Sequence, residues 1–193
     1  MYTPHAFVLP LWIDIGDAFY HTLDVVDASN KISKKFNEND KLVAIFSALC
    51  HDFGKSLKEK GGATFFDESD RGGIWKSPGH AELGVPLTIS FLERIGAQQW
   101  LIDKVVPLVR DHLVHVNTPA TPRVVRRLSN RLHPATLEEL GWLVEADMSG
   151  RFPFPARQNE EMQKILDLSK EMDLDRNKPK PILMGRHLLE LGY

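Results

Sequence analysis

Residues 48–56 read ALCHDFGKS, an apolar helical run that meets His51 and Asp52 side by side before Gly54 and Lys55. Imidazole and carboxylate together are ligand types that suit Zn, Mn, Fe, Co or Ni. Three further histidines, His21, His80 and His112, fall within or at the ends of separate expected helices, each flanked by apolar residues. A metal site in a helical bundle draws inward-facing ligands from several helices in this way. Buried histidines without a metal would repel one another when protonated and would lose hydration throughout. Each residue also has a plainer role. A lone histidine near an apolar face is usually a satisfied core residue, and Asp52 could be a loop carboxylate bonded to backbone amides. The residue pattern by itself leaves both open.

Other chemistries fit less well. Gly54-Lys55-Ser56 has the tail of a phosphate-binding P-loop, but the glycine required five residues earlier is Leu49. Cys50 adjoins His51, yet adjacent helical residues point about 100° apart, so Cys50 reads as a small core residue rather than a nucleophile. His112 and His115 have the spacing of one helical face, without the glutamate of a zinc protease between them, so His115 is expected to be outer-shell or exposed.

The elements that must position these groups are helical. Helical periodicity covers Asp14–Ile32, with Phe19, Leu23, Val26 and Val25 on one face and Asp14 or Asp17 at its start. Lys41–Cys50 is apolar nearly all round, with Asp40 as its expected cap. Ser56–Pro78 is a long loop, with a short hairpin expected around Ala63–Phe66. Helices return in Gly79–Ile95, stopped by Gly96, and in Gln98–Val114, with Pro86 and Pro107 as sites of kinking or splitting. Thr121–Leu132, Thr136–Met148 and Asn159–Met172 complete an all-α reading, with Phe152–Pro155 as a stiff bridge and a short tail at Pro181–Tyr193.

The 193 residues, 42% apolar and 26% charged, suit one soluble domain. The net charge of −2 supplies no global attraction to nucleic acid or to acidic membranes. One cysteine excludes an internal disulfide framework and fits a reducing cytoplasm. No basic leader and no run long enough to span a bilayer is present, so no membrane partner is expected.

His21 in FYHTLDVVD, His51-Asp52 in ALCHDFGK and Asp147 in VEADMSGR resemble the H…HD…D pattern of the HD-domain phosphohydrolase superfamily. IDIGDAFYHTLDVVD, SPGHAELGVPL, VVPLVRDHL, VRRLSNRLHP, ADMSGR and GRHLLELGY are similar to the HD domain of bacterial tRNA nucleotidyltransferases, the CCA-adding enzymes of the poly(A) polymerase family. The resemblance runs from about Ile13 to the last residue. It implies a single all-helical HD domain over residues 1–193, with a metal-binding core in 14–151 and a helical extension in 152–193. The nucleotidyltransferase head, with its glycine-serine motif and paired aspartates, has no counterpart here, so CCA addition is not expected. A compact standalone protein and a fragment of a longer one are both compatible with the stop at Tyr193.

By the resemblance, His21, His51, Asp52 and Asp147 hold one divalent transition metal, Mn, Fe, Ni, Co or Zn, with Mg also compatible. His80 in GHAELG and His112 in RDHL match the two histidines that two-metal branches recruit. One ion, with His80 and His112 on substrate phosphate, competes closely with two ions bridged by Asp52. Such a site hydrolyses a phosphoester by activating water. Asp52 is then catalytic. Lys55, about one turn after the pair, reaches the same phosphoryl oxygens as a catalytic and substrate-binding cation, or is a solvated lysine. Arg151 clamps phosphate, or pairs with Glu145 or Asp147. Trp75 or Phe65 offers a ring on which a base could stack.

Arg123, Arg126, Arg127 and Arg131 form a basic stripe at helical spacing, a weak contact for RNA phosphates or a solvated face paired with Glu138 and Glu139. The expected function is a phosphohydrolase acting on a nucleotide or a nucleic-acid end, as a phosphomonoesterase or a 2′,3′-cyclic phosphodiesterase. The alternative is a non-catalytic RNA-binding or scaffolding HD module.

Overall fold

The computed structural model describes residues 15–56, 64–67, 74–150, 159–177 and 185–192. The expected Phe152–Pro155 bridge and Arg151 lie outside them. The described chain is helical apart from one two-stranded ribbon, which bears out the all-α reading. It begins with α1, Ile15–Ile32, and α2, Glu38–Cys50, followed by a 3-10 turn at Phe53–Ser56.

Local capping explains most helix starts. The Asn37 side chain accepts from the Asp40 amide, so α2 starts earlier than Lys41 and its cap is Asn37 rather than Asp40. Asp40 instead sits in the first turn, where a carboxylate favours the positive end of the helix dipole. Two strands, β1 (Phe65–Asp67) and β2 (Ile74–Lys76), pair antiparallel with Phe66 opposite Trp75. The expected hairpin at Ala63–Phe66 is thus the first strand of a ribbon that closes on a later one.

Next come α3, His80–Arg94, and α4, Gln99–Asp111. Both run unbroken through Pro86 and Pro107, so neither proline splits its helix. Gly96 follows α3 with a φ of 74°, the left-handed stop that glycine supplies without a Cβ penalty. α4 ends at Asp111 with His112 as its cap, short of the expected Val114, and α5 (Val114–Asn117) is a separate turn. α6, Pro122–Leu132, starts on a Thr121 cap with proline in its first turn. α7, Leu137–Ser149, starts on a capping box in which Thr136 and Glu139 satisfy each other's backbone amides. α8, Glu160–Glu171, starts on Asn159, and α9 is Gly185–Glu190.

The core is one contiguous cluster. Val25 of α1, Val43 and Ala48 of α2, Val105 and Leu108 of α4, Leu128 of α6, Leu140 and Val144 of α7, and Ile165 of α8 all join it. α1 packs on α2 and α7, while α3 packs on α4 and on the Phe53–Ser56 turn. The buried stripe of α1 is Val25, Ala28 and Ser29. Phe19 and Leu23, expected on that face with Val26, are 58% and 44% exposed and line a cavity instead. Among the described residues no helix is long and apolar enough to cross a membrane.

Candidate metal centre

His51 and Asp52 occupy the two positions after the last residue of α2, where the chain turns into the 3-10 segment. Leaving regular helical geometry lets neighbouring side chains converge. His51 Nε2 lies 3.3 Å from Asp52 Oδ2, and His21 Nε2 of α1 lies 3.8 Å from the same oxygen. His80 Nε2, from the first turn of α3, lies 3.2 Å from the other oxygen, Oδ1. Asp147 of α7 completes the near side, with Oδ1 at 3.0 Å from His21 Nε2 and 3.9 Å from His51 Nε2. His112 closes the far side, its Nε2 at 3.3 Å from His80 Nε2. The rings run His21, His51, His112, His80, with neighbouring centroids 5.3 to 5.4 Å apart.

The outer ring nitrogens are all committed. His51 Nδ1 donates to Ala48 O at 2.7 Å, His80 Nδ1 to Ser77 O at 2.6 Å, and His112 Nδ1 to Val109 O at 2.6 Å. His21 Nδ1 donates to Gly150 O at 3.3 Å. In three cases the acceptor is the carbonyl three residues earlier. A proton held on Nδ1 leaves the Nε2 lone pair facing the centre, the tautomer a metal-binding histidine needs.

Two glycines make the convergence sterically feasible. A Cβ on Gly54 would meet His80 O at 2.0 Å and Gly84 N at 2.8 Å, so only glycine lets the turn after Asp52 approach the start of α3. Gly54 is therefore required for this approach. A Cβ on Gly150 would meet Val25 Cγ2 at 2.5 Å, so glycine is also needed where the end of α7 rests on α1.

The electrostatics are those of a buried cluster of imidazoles and carboxylates. Burial opposes the charged form of Asp52, but His51, His80 and Lys55 hold its carboxyl far below the usual carboxylate range. For His51, burial opposes charge and the carboxylates of Asp52 and Asp147 overcome it, raising its pKa. His112 is pushed down to about 3, first by burial and then by the positive charge of His51. Cys50, fully buried, has its thiol pushed up to about 12 by burial, which fits the core role expected of it.

The residues present fit a metal. Two triads, His21, His51 and Asp147, and Asp52, His80 and His112, each bring one ligand atom apiece within 4.8 Å of one another. His51 Nε2 and Asp52 Oδ1 are buried without an aligned hydrogen-bond partner. A divalent cation satisfies both atoms and removes the confrontation of lone pairs between His80 and His112.

The structure brings together all six residues expected at the metal, and Lys55, expected beside them, has its Nζ 2.6 Å from Asp52 Oδ2. His115 is buried rather than exposed and does not belong to either triad. Among the described residues, Asp52 and Lys55 help line an open cavity of about 470 Å³. Its aromatic lining is Phe19, Phe53 and Phe91, not Trp75 or Phe65, because Trp75 packs across the ribbon on Phe66 with ring centroids 5.4 Å apart. In the basic stripe, Arg131 pairs with Asp111 at 2.5 Å, while Glu138 pairs with Arg176 and Glu139 with Lys104. The expected partners of the stripe are therefore taken by other cations. Sequence reasoning missed the carbonyls that hold the rings, although their spacing of three residues before His51, His80 and His112 was a readable signal.

A family model described as HD domain matches residues 18–169, more than half of the chain. No solved structure matches it.

Proposed function

The chain belongs to the HD-domain family, whose members are generally metal-dependent phosphohydrolases, and from that premise we propose that it hydrolyses a phosphoester on a nucleotide or a nucleic-acid end. The reaction is that of a phosphomonoesterase, a 2′,3′-cyclic phosphodiesterase, or both. The observation that carries the reading is Asp52, which turns one carboxylate oxygen toward each side of the histidine cluster while four Nε2 atoms face inward. The nucleic-acid side of the proposal rests on the resemblance of sequence blocks such as SPGHAELGVPL, VVPLVRDHL and ADMSGR to the HD domain of tRNA nucleotidyltransferases.

In this reading His21, His51 and Asp147 would hold one divalent transition metal, and Asp52, His80 and His112 would hold a second. Mn, Fe, Co, Ni and Zn all suit this mixture of imidazole and carboxylate. A metal held there lowers the pKa of a bound water and neutralises phosphoryl oxygens. Asp52, buried and charged, would position the attacking water. Lys55, 28% exposed in its side chain and already on Asp52, turns toward the substrate phosphoryl group. Arg151 is a further phosphate ligand in the same scheme.

Purified protein assayed for bound metals and against a phosphoester panel, beside Asp52→Ala, tests this. Bound transition metal and turnover lost in the variant are expected; absence of the metal with equal turnover in both overturns it.

One observation favours a second reading, a non-catalytic RNA-binding module. Arg123, Arg126 and Arg127 are exposed on α6, and no ion pair among the described residues engages them. RNA binding that is lost in Arg126→Ala/Arg127→Ala, in a protein without hydrolysis, would favour it.

A further inference from the structure

The metal centre opens onto a cavity whose walls contrast with its floor. At the inner end are Asp52 and Lys55; beyond them the lining is largely apolar, with Phe19, Leu87 and Phe91 prominent. Small polar phosphoesters have no use for such walls, since burying a sugar hydroxyl against hydrocarbon without a partner is unfavourable. The volume of about 470 Å³ is in the range of cavities that hold small organic ligands.

One helix organises this space. His80 begins α3 at the metal centre, and Leu87, Phe91 and Arg94 follow on one stripe, at steps of seven, four and three residues. The helical rise places the Arg94 Cα about 20 Å from that of His80. Helical side chains lean toward the N-terminus, so the Arg94 guanidinium reaches back over the cavity it lines. Arg94 is exposed, and no ion pair among the described residues holds it. The cavity therefore has a cation at each end and aromatic rings between. Phe53 and Phe91 meet edge to face with centroids 5.4 Å apart, and Phe19 of α1, 58% exposed, also lines the cavity. The Thr22 and Ser90 hydroxyls add the few polar groups that orient a ligand without making the wall hydrophilic.

We propose that this cavity takes a nucleobase among Phe19, Phe53 and Phe91, with Lys55 on the reacting phosphoryl group and Arg94 on a second phosphate of the same substrate. Resting on the phosphohydrolase reading, it makes the phosphorylated end of an oligonucleotide the preferred class and Arg94 the residue that selects it. An acyl chain would fill the apolar middle but would leave Arg94 without an anion. A flat base with a phosphate on either side meets all three parts.

The test compares kcat/KM of the metal-loaded protein for glycerol phosphate, a nucleoside 3′-phosphate and a dinucleotide carrying the same terminal phosphate. A rise of about tenfold at each step is expected, the scale of one stacked base or one phosphate contact. Arg94→Gln should cut the dinucleotide-to-mononucleotide ratio about tenfold, since one phosphate contact is lost. Leu87→Trp, which fills the cavity, should collapse the nucleotide-to-glycerol phosphate ratio. Ser90→Trp repeats that test from the cavity mouth should Leu87→Trp misfold. Equal kcat/KM for the three esters, an unchanged ratio in Arg94→Gln, or preference for a long-chain alkyl phosphate overturns the inference. Asp52-dependent turnover of glycerol phosphate with no such preferences would leave the phosphohydrolase reading standing. No turnover of any ester by a protein without bound metal would sink both.

Discussion

His80 Nε2 and His112 Nε2 face each other at 3.3 Å, while the Nδ1 of each ring donates to a backbone carbonyl, of Ser77 and of Val109. Two acceptors held that close, in a buried site, need a proton or a metal between them. Metal binding should therefore stabilise the fold by mass action, by about 2.7 kcal/mol at a free metal concentration of 100 Kd. Thermal melts of chelator-stripped protein with added Mn, Ni or Zn should show Tm rising with metal concentration. In His112→Ala the rise should shrink, and metal analysis should show less metal per chain.

Stability of the metal-free protein should fall on acidification. His112 titrates near 6.5 when unfolded and at about 3 when folded, chiefly because of burial. Between those values the unfolded chain takes up a proton that the native chain refuses. Stability therefore drops as pH falls through the window, by at most ~1.4 kcal/mol per pH unit from this group. His51 has the opposite sign: its raised pKa contributes stability that is complete below 6.5 and is lost as pH rises through the folded value. Asp52, lowered by its neighbours, adds a further loss only below its ordinary 3.8. Urea unfolding from pH 4.5 to 8 should show the acid-side slope, and His112→Gln should flatten it.

Gly54→Ala should be severe for so small a change. Its Cβ would collide with the backbone of His80 and Gly84, which cannot swing aside as a side chain could. A destabilisation of about 1–3 kcal/mol or more is expected, together with reduced metal content. Gly84→Ala is milder by geometry, since its Cβ would come no closer than 3.1 Å to Gly54 N. Comparing the two by denaturant unfolding and metal analysis checks the assignment.

Thr136→Ala tests how α7 is anchored. It removes the hydroxyl that accepts from the Glu139 amide, and half of the capping box that starts the helix bearing Asp147. A loss of about 1 kcal/mol is expected in equilibrium unfolding. Because Glu139 also holds Lys104 of α4 at 2.5 Å, Glu139→Ala should cost more than Thr136→Ala.

The sequence by itself determined the helical class, most helix positions and the identity of the residues that converge. Apolar periodicity and the left-handed glycine at Gly96 are local properties, so they are readable along the chain. His21, His51, Asp52, His80, His112 and Asp147 were legible because their types are costly inside a helical core and their surroundings match the family pattern. Local competition between caps was harder to read: Asn37 outranks Asp40 only because its side chain reaches the Asp40 amide.

Tertiary structure alone decided the rest. The two faces of α1 carry similar apolar residues, and only packing against α2 and α7 assigned Val25 to the core and Phe19 to a cavity wall. Pairing across the ribbon kept Trp75 out of the cavity wall beside Asp52 and left the aromatic lining to three helical segments. Ion-pair partners were likewise a matter of which helices meet, which is why Arg131 found Asp111 and Glu139 found Lys104. Most decisive is the division of the Asp52 carboxylate, one oxygen toward His21 and His51 and the other toward His80. That division depends on the turn after α2 meeting the start of α3 at Gly54 while α1 packs on α2, long-range contacts that no local pattern along the chain encodes.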